Sequence, residues 1–438
     1  MAPVVAIVGR PNVGKSTFFN KMVGSRISIE EDTPGVTRDR VYGKAKWLEQ
    51  SFTLIDTGGL DPKSDDLLLS EIRNQAEIAI EVADVIVFMV DARDGLTHDD
   101  KEIALILRRT RKPVLLVVNK IDNFKDEHLT YEFYELGFST IGISSVNILN
   151  FGDLLDQILE LLPEEKQSDD DDKTIKMAIV GKPNVGKSSL VNAILGENRV
   201  IISDIPGTTR EAIETSFEKD GVKYLLTDTA GIRRKKKINE DIEHYSVLRS
   251  FSAIERSDIT LLMVDAQEGF TEQDKKIIGF AHNEGKAVIV LVNKWDLVEK
   301  DNKSYKQWKN KFYAEFPFLR YAPIELISVT EKERLHRILP MVRDVYENSQ
   351  RRITTGQLNE LLNEVVLLHP MPQDKGKSLK IYYATQSQVS PPTFVLFINH
   401  EKLMHFSYLR YLENRIRESF DFEGTPIRFV LKEKRKEL

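Results

Sequence analysis

Short runs of apolar residues recur along the first 300 positions, separated by longer stretches in which apolar and polar residues alternate with a helical period. Val4–Val8, Phe52–Ile55, Val85–Val90 and Val114–Val118 are continuous apolar runs. They are too short for independent helices and too uniformly apolar for strands with one wet face, so they read as strands buried on both sides. Met177–Val180, Tyr224–Thr227, Ile259–Val264 and Val288–Val292 repeat the pattern. The amphipathic stretches between them, such as Asp66–Val82 and Asp99–Thr110, predict helices. Strands alternating with helices predict an α/β fold, a mostly parallel sheet with helices on both faces. In such a fold the chemistry belongs on loops at the carboxyl ends of the strands.

The chain also repeats itself. VVAIVGRPNVGKSTFFNKMVG begins at Val4 and KMAIVGKPNVGKSSLVNAILG at Lys176. The offset is 172 residues from the first glycines, Gly9 and Gly181, to Asp56 and Asp228, and 174 from there to Asn119 and Asn293. A period this long marks duplicated domains, not stacked solenoid units. The expected division is a first domain over 1–163, an acidic linker over 164–174, a second domain over 175–350 and a different domain over 351–438. The join reads PEEKQSDDDDK; four consecutive aspartates repel one another and bury nothing, so a solvated linker is expected, with a functional acidic segment as the alternative.

After residue 350 the repeat stops. Helix Thr354–Leu368, strand Leu379–Thr385, strand Phe394–Ile398, helix Ser407–Phe420 and strand Ile427–Leu431 predict a small α+β domain, punctuated by HPMPQDKGK and SQVSPP. From Arg351 onward there are 14 Lys or Arg against 10 Asp or Glu, whereas the whole chain carries a formal charge of −6. Any nucleic-acid contact must therefore come from local patches. The chain has no cysteine, which excludes disulfides, a thiol nucleophile and thiolate metal sites, and fits a reducing cytoplasm. The opening MAPVVAIVGRPN is not a signal peptide, no apolar run approaches transmembrane length, and the eight histidines show no metal-binding spacing.

The duplicated motifs carry the chemistry. Gly9-Arg10-Pro11-Asn12-Val13-Gly14-Lys15-Ser16 and Gly181-Lys182-Pro183-Asn184-Val185-Gly186-Lys187-Ser188 are both GxxxxGK[ST] loops. Glycines let the backbone wrap phosphates with its amides inward, and the following helix adds its positive end. Lys15 and Lys187 are expected at the β/γ-phosphates as electrostatic catalysts, with Ser16 and Ser188 on Mg²⁺. Asp56-Thr57-Gly58-Gly59 and Asp228-Thr229-Ala230-Gly231 are DxxG motifs, each 47 residues after its first P-loop glycine. Their acids can hold Mg²⁺ and their last glycine can contact the γ-phosphate. Asn119-Lys120-Ile121-Asp122 and Asn293-Lys294-Trp295-Asp296 select the base, since a carboxylate can accept both N1–H and N2–H₂ of guanine and adenine lacks that pair. The motif set therefore predicts two sites for GTP and GDP.

Thr37 and Thr209, in PGVTRD and PGTTRE, are candidate switch threonines that close over Mg²⁺ and γ-phosphate. The guanine-capping loops are Ser144-Ser145 and Ser328-Val329. Leu60 and Ile232 follow the two DxxG motifs where Ras-like enzymes carry a water-orienting glutamine, so slow intrinsic turnover is expected. Arg233-Arg-Lys-Lys-Lys237 follows the second DxxG directly and reads equally as a solvated loop or as a phosphate-backbone contact.

Together these motifs, with the segment IYYATQ…PPTFVLFIN…HFSYLRYLENRIRESFDFEGTPI, resemble the EngA/Der family of bacterial tandem GTPases along nearly the whole chain. The tail discriminates most, because P-loops and NKxD are common to related GTPases. The resemblance implies two P-loop GTPase domains packed around a KH-like C-terminal domain. It implies GTP hydrolysis controlling association with the large ribosomal subunit, its rRNA and its proteins, by a monomeric, cytoplasmic chain with no membrane or DNA partner. It also implies K⁺ held by Asn12 and Asn184. The chain departs from the family pattern in both capping loops, in Glu211 where Asp is usual, and in lacking a GxxG clamp: the tail has only the separated Gly356, Gly376 and Gly424. Docking is thus expected of the tail in preference to direct RNA reading. Two rival readings are a non-catalytic GTP-binding scaffold and a tRNA-modification or membrane-associated GTPase.

Overall fold

The structure is a computed structural model that describes residues 3–24, 42–48, 50–57, 76–77, 79–163, 174–196, 201–202, 215–227, 242–298, 304–369, 373–374 and 377–433. It divides into two compact units, Met1–Asp169 and Asp170–Leu438.

The first unit runs β1 (Val4–Val8), α1 (Lys15–Gly24), β2 (Tyr42–Trp47), β3 (Gln50–Asp56), β4 (Val85–Asp91), α2 (His98–Leu107), β5 (Val114–Asn119), a 3₁₀ stretch (Phe124–Leu136), β6 (Ser139–Gly142) and α3 (Phe151–Leu161). Its six strands lie in the order β2-β3-β1-β4-β5-β6. All neighbours are parallel except β2 and β3. The continuous apolar runs are the central strands: every residue of β1 and β4 is buried. Phe18, Phe52, Leu54, Leu154 and Ile158 fill one face against them. Helix α2 starts where Thr97 and Asp100 form a capping box, each side chain accepting from the other's backbone amide.

The second unit begins with β7 (Ile175–Val180), α4 (Lys187–Leu195), β8 (Ile201–Ile202), β9 (Thr215–Lys219), β10 (Val222–Thr227), α5 (Ile242–Glu255), β11 (Ile259–Asp265), α6 (Glu272–Asn283), β12 (Ala287–Asn293), α7 (Ser304–Glu315), β13 (Ile324–Leu326) and α8 (Ile338–Ser349). Here seven strands run β13-β12-β11-β7-β10-β9-β8. β9 is antiparallel to β10, and β8 to β9.

The unit continues with α9 (Thr355–Leu368), two short strands β14 (Gln373–Asp374) and β15 (Lys377–Ser378), β16 (Ile381–Gln388), β17 (Thr393–Ile398), α10 (Phe406–Phe420) and β18 (Arg428–Glu433). Its three-stranded sheet has β17 in the middle, antiparallel to β16 and parallel to β18. Leu358, Leu362 and Val365 of α9 and Leu412 and Ile416 of α10 cover it.

The predicted strands recur, several lengthened by one polar residue: β4 ends at Asp91, β5 at Asn119, β11 at Asp265 and β12 at Asn293. Apolar runs stop where the sheet meets solvent, but pairing continues one residue further, with Asp91 opposite Asn119 and Asp265 opposite Asn293. The helix predicted over Asp99–Thr110 begins at His98 and ends at Leu107. Of Asp66–Val82, the described residues 76–77 and 79–82 are helical and the rest lies outside the described residues. The strand expected over Leu379–Thr385 is shifted to Ile381–Gln388. The edge strands β2, β6 and β13, and β9 next to the edge strand β8, escape the apolar pattern because they are short or carry alternating polar residues such as YGKAKW.

Gly424 seats the C-terminal segment against the second α/β sheet. Its amide donates to Tyr321 O and its carbonyl accepts from Val288 N, both at 2.7 Å. Its φ is +81°, and a Cβ there would collide with Val345. Gly424→Ala combines left-handed strain with overpacking and should cost about 2 kcal/mol. A lowered thermal midpoint for the transition that includes this unit checks it; an unchanged midpoint contradicts it.

Candidate nucleotide sites

Both P-loops connect a central strand to a helix, the fully buried β1 to α1 and β7, buried except at Lys176, to α4. Asn12 and Asn184 take the left-handed conformation at φ +66° and +63° and are exposed. At Gly14 (φ +100°) and Gly186 (φ +105°) a Cβ would strike the amide nitrogen of Asn119 and of Asn293. Glycine is required there because the base-selecting segment crosses directly behind the phosphate loop.

That crossing is a hydrogen-bonded brace. Asn119 Nδ2 donates to Val13 O at 2.8 Å, and its Oδ1 accepts from Ser145 N at 2.9 Å. Asn293 repeats both bonds, to Val185 O at 2.7 Å and from Val329 N at 3.1 Å. Each asparagine ties the phosphate loop to the capping loop. The substitution of Val329 for Ser145 is invisible to this brace, because the amide makes the bond. Ile121 and Trp295 are buried and anchor their turns by backbone bonds to Ile143 O and Ile327 O.

Lys15 Nζ donates to Gly9 O at 2.6 Å and Arg10 O at 2.8 Å, and Lys187 Nζ to Gly181 O at 2.5 Å and Lys182 O at 2.7 Å. The ammonium thus sits inside the loop it serves. Burial lowers the Lys15 pKa to about 8, with Asp56 opposing the shift and Arg10 adding to it. Ser16 Oγ donates to Asp56 Oδ2 at 2.7 Å, and Asp56 is buried. A hydroxyl and a carboxylate in contact beside a phosphate loop are hard oxygen donors that fit Mg²⁺. Thr57 fixes the turn after β3 by donating to Ile7 O at 2.6 Å.

The loops after β4 and β11 were not singled out from the sequence as part of the sites. Arg10 Nη2 bonds Asp94 Oδ2 at 2.7 Å, with its Nε 3.5 Å from the buried Asp100 Oδ1. Lys182 pairs with Glu268 in the second copy. Lys120 pairs with Asp91, and Lys294 Nζ with Asp265 Oδ2 at 2.6 Å. The acidic ends of β4 and β11, and the RD and QE that follow within VDARDG and VDAQEG, were the available signal.

Asp122 Oδ1 accepts from Ser144 Oγ at 2.7 Å and Asn147 Nδ2 at 3.1 Å, and Arg93 pairs with Oδ2. The Ser144 hydroxyl holds its carboxyl below the usual range; burial opposes the shift, and Arg93 adds to it. Asp296, on a 3₁₀ turn (Trp295–Leu297), has no ion pair among the described residues. Pro11 and Pro183 stand in the described loops, and Ser188 opens α4. Thr37, Gly58, Gly59, Leu60, Thr209, Glu211, Asp228, Thr229, Ala230, Gly231, Ile232, the Arg233–Lys237 run and Gly376 lie outside the described residues. Among the described residues no group of three or more His, Asp or Glu forms a metal cluster, and no helix is long and apolar enough to cross a membrane.

Two mostly parallel sheets, each with a P-loop at one strand's carboxyl end and an NKxD loop two strands away, define a tandem GTPase that converts GTP and water to GDP and phosphate. The family described as a 50S ribosome-binding GTPase matches residues 4–120 and 176–294, and the KH-domain-like C-terminal family of EngA bacterial GTPase enzymes matches 352–432. GTPase Der of Acetivibrio thermocellus is 57% identical over 437 residues, covering 99% of both chains. GTPase Der of Alkaliphilus metalliredigens is 57% identical over 433 residues, covering 99% of this chain and 98% of its own. An Aquifex aeolicus Era structure bound to GDP and aluminium fluoride is 25% identical, with a TM-score of 0.31, over 60% of this chain and 93% of its own. The chain belongs to the EngA/Der family of GTPases.

Two tests follow from this geometry. Asn119→Ala strands a buried carbonyl and a buried amide, each worth about 1–3 kcal/mol, and should weaken GDP binding at the first site by about tenfold or more. Fluorescent-GDP titration with the second site disabled by Lys187→Ala reads this; unchanged affinity contradicts it. The second test concerns pH. Because the Lys15 pKa lies near 8 in the empty site, raising pH through 8 discharges it, and phosphate binding there must recruit a proton. Above pH 8 the first site should bind GDP progressively more weakly and with proton uptake, measurable by calorimetry in buffers of different ionisation enthalpy. For folding the sign is opposite: the unfolded lysine binds more protons between about pH 8 and 10, so this group alone makes stability rise there.

Proposed function

We propose that this chain is a ribosome-assembly switch: a monomeric cytoplasmic protein whose two GTPase domains, over 1–163 and 175–350, control docking of the 351–438 domain on the large ribosomal subunit. The carrying observation is the presence of two braced P-loop and NKxD sites together with a C-terminal segment that packs through Gly424 on the second α/β domain, at the amino-terminal ends of β12 and β13. The 50S-binding description of the matching family supports the ribosomal destination.

In each site the P-loop amides and Lys15 or Lys187 stabilise charge on the transferred γ-phosphoryl as water attacks in line. Ser16 with Asp56, and Ser188 with Asp228, would hold Mg²⁺, which when bound would neutralise phosphate charge. Thr37 and Thr209 close over the γ-phosphate as switches. Asp122 and Asp296 read guanine. Asn12 and Asn184, exposed at φ above +60° in the two P-loops, would hold K⁺, whose charge would stand in for an arginine finger. The tail lacks a GxxG clamp and spends Gly424 on intramolecular packing, which supports docking over direct RNA reading.

Lys15→Ala and Lys187→Ala, purified separately, should each reduce GTP turnover in K⁺ buffer, and K⁺-to-Na⁺ exchange should slow the intact protein. The protein should co-sediment with large subunits in one nucleotide state and not the other. If neither lysine matters, the catalytic assignment is wrong. Failure to co-sediment in GTP or GDP rejects the ribosomal role and leaves the GTPase standing.

A further inference from the structure

The two base-selecting carboxylates are not in the same electrostatic state. Asp122 is occupied on both oxygens, Oδ1 by Ser144 and Asn147 and Oδ2 by the Arg93 guanidinium. Asp296 carries no cation among the described residues.

The difference in cation rests on one side chain set on the same backbone seat; Ser144 and Asn147 are a further, uncharged difference. In the first unit Asp91 Oδ1 accepts from Arg93 N at 2.9 Å, and in the second Asp265 Oδ1 accepts from Gln267 N at 2.9 Å. Asp91 lies in register with Asn119, and Asp265 with Asn293, so both turns stand at the same place beside the base-selecting motif. From that seat Arg93 reaches Asp122, whereas Gln267 Nε2 donates to Leu297 O at 3.4 Å.

Guanine is recognised through N1–H and the N2 amine, which with C2 and N3 form a guanidine unit. A carboxylate accepting that edge meets the same donor chemistry that an arginine offers. We propose that Arg93 is an internal competitor of guanine at the first site: it holds the Asp122 carboxylate until the base displaces it, and so sets the first site's affinity below that of an uncapped one. Gln267, neutral and turned to a backbone carbonyl, makes no such claim on Asp296. The Arg93 side chain is 66% exposed and that of Asp122 28%, so the pair is screened and the competition is modest.

This inference rests on the reading of Asp122 as the base selector, and the test separates the two. In full-length protein with the second site disabled by Lys187→Ala, Arg93→Gln should tighten fluorescent-GDP binding by about three- to fivefold, the range expected of an exposed ion pair. In protein with the first site disabled by Lys15→Ala, Gln267→Arg should weaken binding by a similar factor. Raising KCl at fixed K⁺-site saturation should shrink both effects, which a purely structural role for Arg93 would not do. Asp122→Asn in the first background should abolish GDP binding. If it does and Arg93→Gln leaves affinity unchanged or weakened, the competitor role is overturned while the selector stands. If Asp122→Asn still binds GDP normally, the selector reading fails and the inference with it.

Discussion

Everything in each nucleotide site hangs from one buried asparagine at the carboxyl end of a strand. Asn119 and Asn293 end β5 and β12, are almost fully buried, and each bonds one carbonyl of the phosphate loop and one amide of the capping loop. A buried amide in that position has to satisfy both its oxygen and its nitrogen, and it can do so only if the two loops stand at fixed distances from the strand. The glycines at 14 and 186 follow from this, since any side chain there would push the asparagine away. The phosphate and base subsites are therefore one construction, and a nucleotide that spans them meets a rigid frame.

Much of that frame was readable from residues alone. Runs such as VIVFMVD and AVIVLVN left no alternative to buried parallel strands, and two matched motif series placed the phosphate and base loops at their ends. What stayed hidden were contacts between side chains remote in sequence. Nothing in NKID says that its asparagine faces inward to the two loops while its aspartate meets Ser144, Asn147 and Arg93. Arg10 and Arg93 each look like ordinary surface charges, and only folding brings them to Asp94 and Asp122. The edge strands were missed for a related reason: β2 and β13 take their conformation from pairing with a neighbour, not from a pattern of their own.

The duplicated sites have kept their scaffold and diverged in their charges. Both retain the asparagine brace, the lysine inside the loop, and the lysine–aspartate pair beside the base motif. They differ in the shell around it. Arg10 reaches both Asp94 and Asp100, so the first phosphate loop is tied to the end of β4 and to the capping box of α2. Lys182 is shorter-reaching and ends at Glu268. Asp274 Oδ1 and its counterpart Asp100 Oδ1 both lack a hydrogen-bond partner among the described residues, so the copies differ here by the Arg10–Asp100 ion pair and not by a hydrogen bond. A planar guanidinium can serve two acceptors at once where an ammonium on one stem serves a point.

On the proposed competition, regulation falls in the loop after β4, not in the P-loop or NKxD motifs. That loop carries Arg93 toward the base and Asp94 toward the phosphate loop, two adjacent residues with opposite charges and opposite targets. A nucleotide entering the first site displaces one of these pairs at the base while adding negative charge near the other. The second site has a neutral residue at the first of those positions and so lacks half of the linkage. Two copies of one fold can thereby respond to the same nucleotide pool over different concentration ranges. That is the minimum a duplicated switch needs in order to encode more than a single copy can.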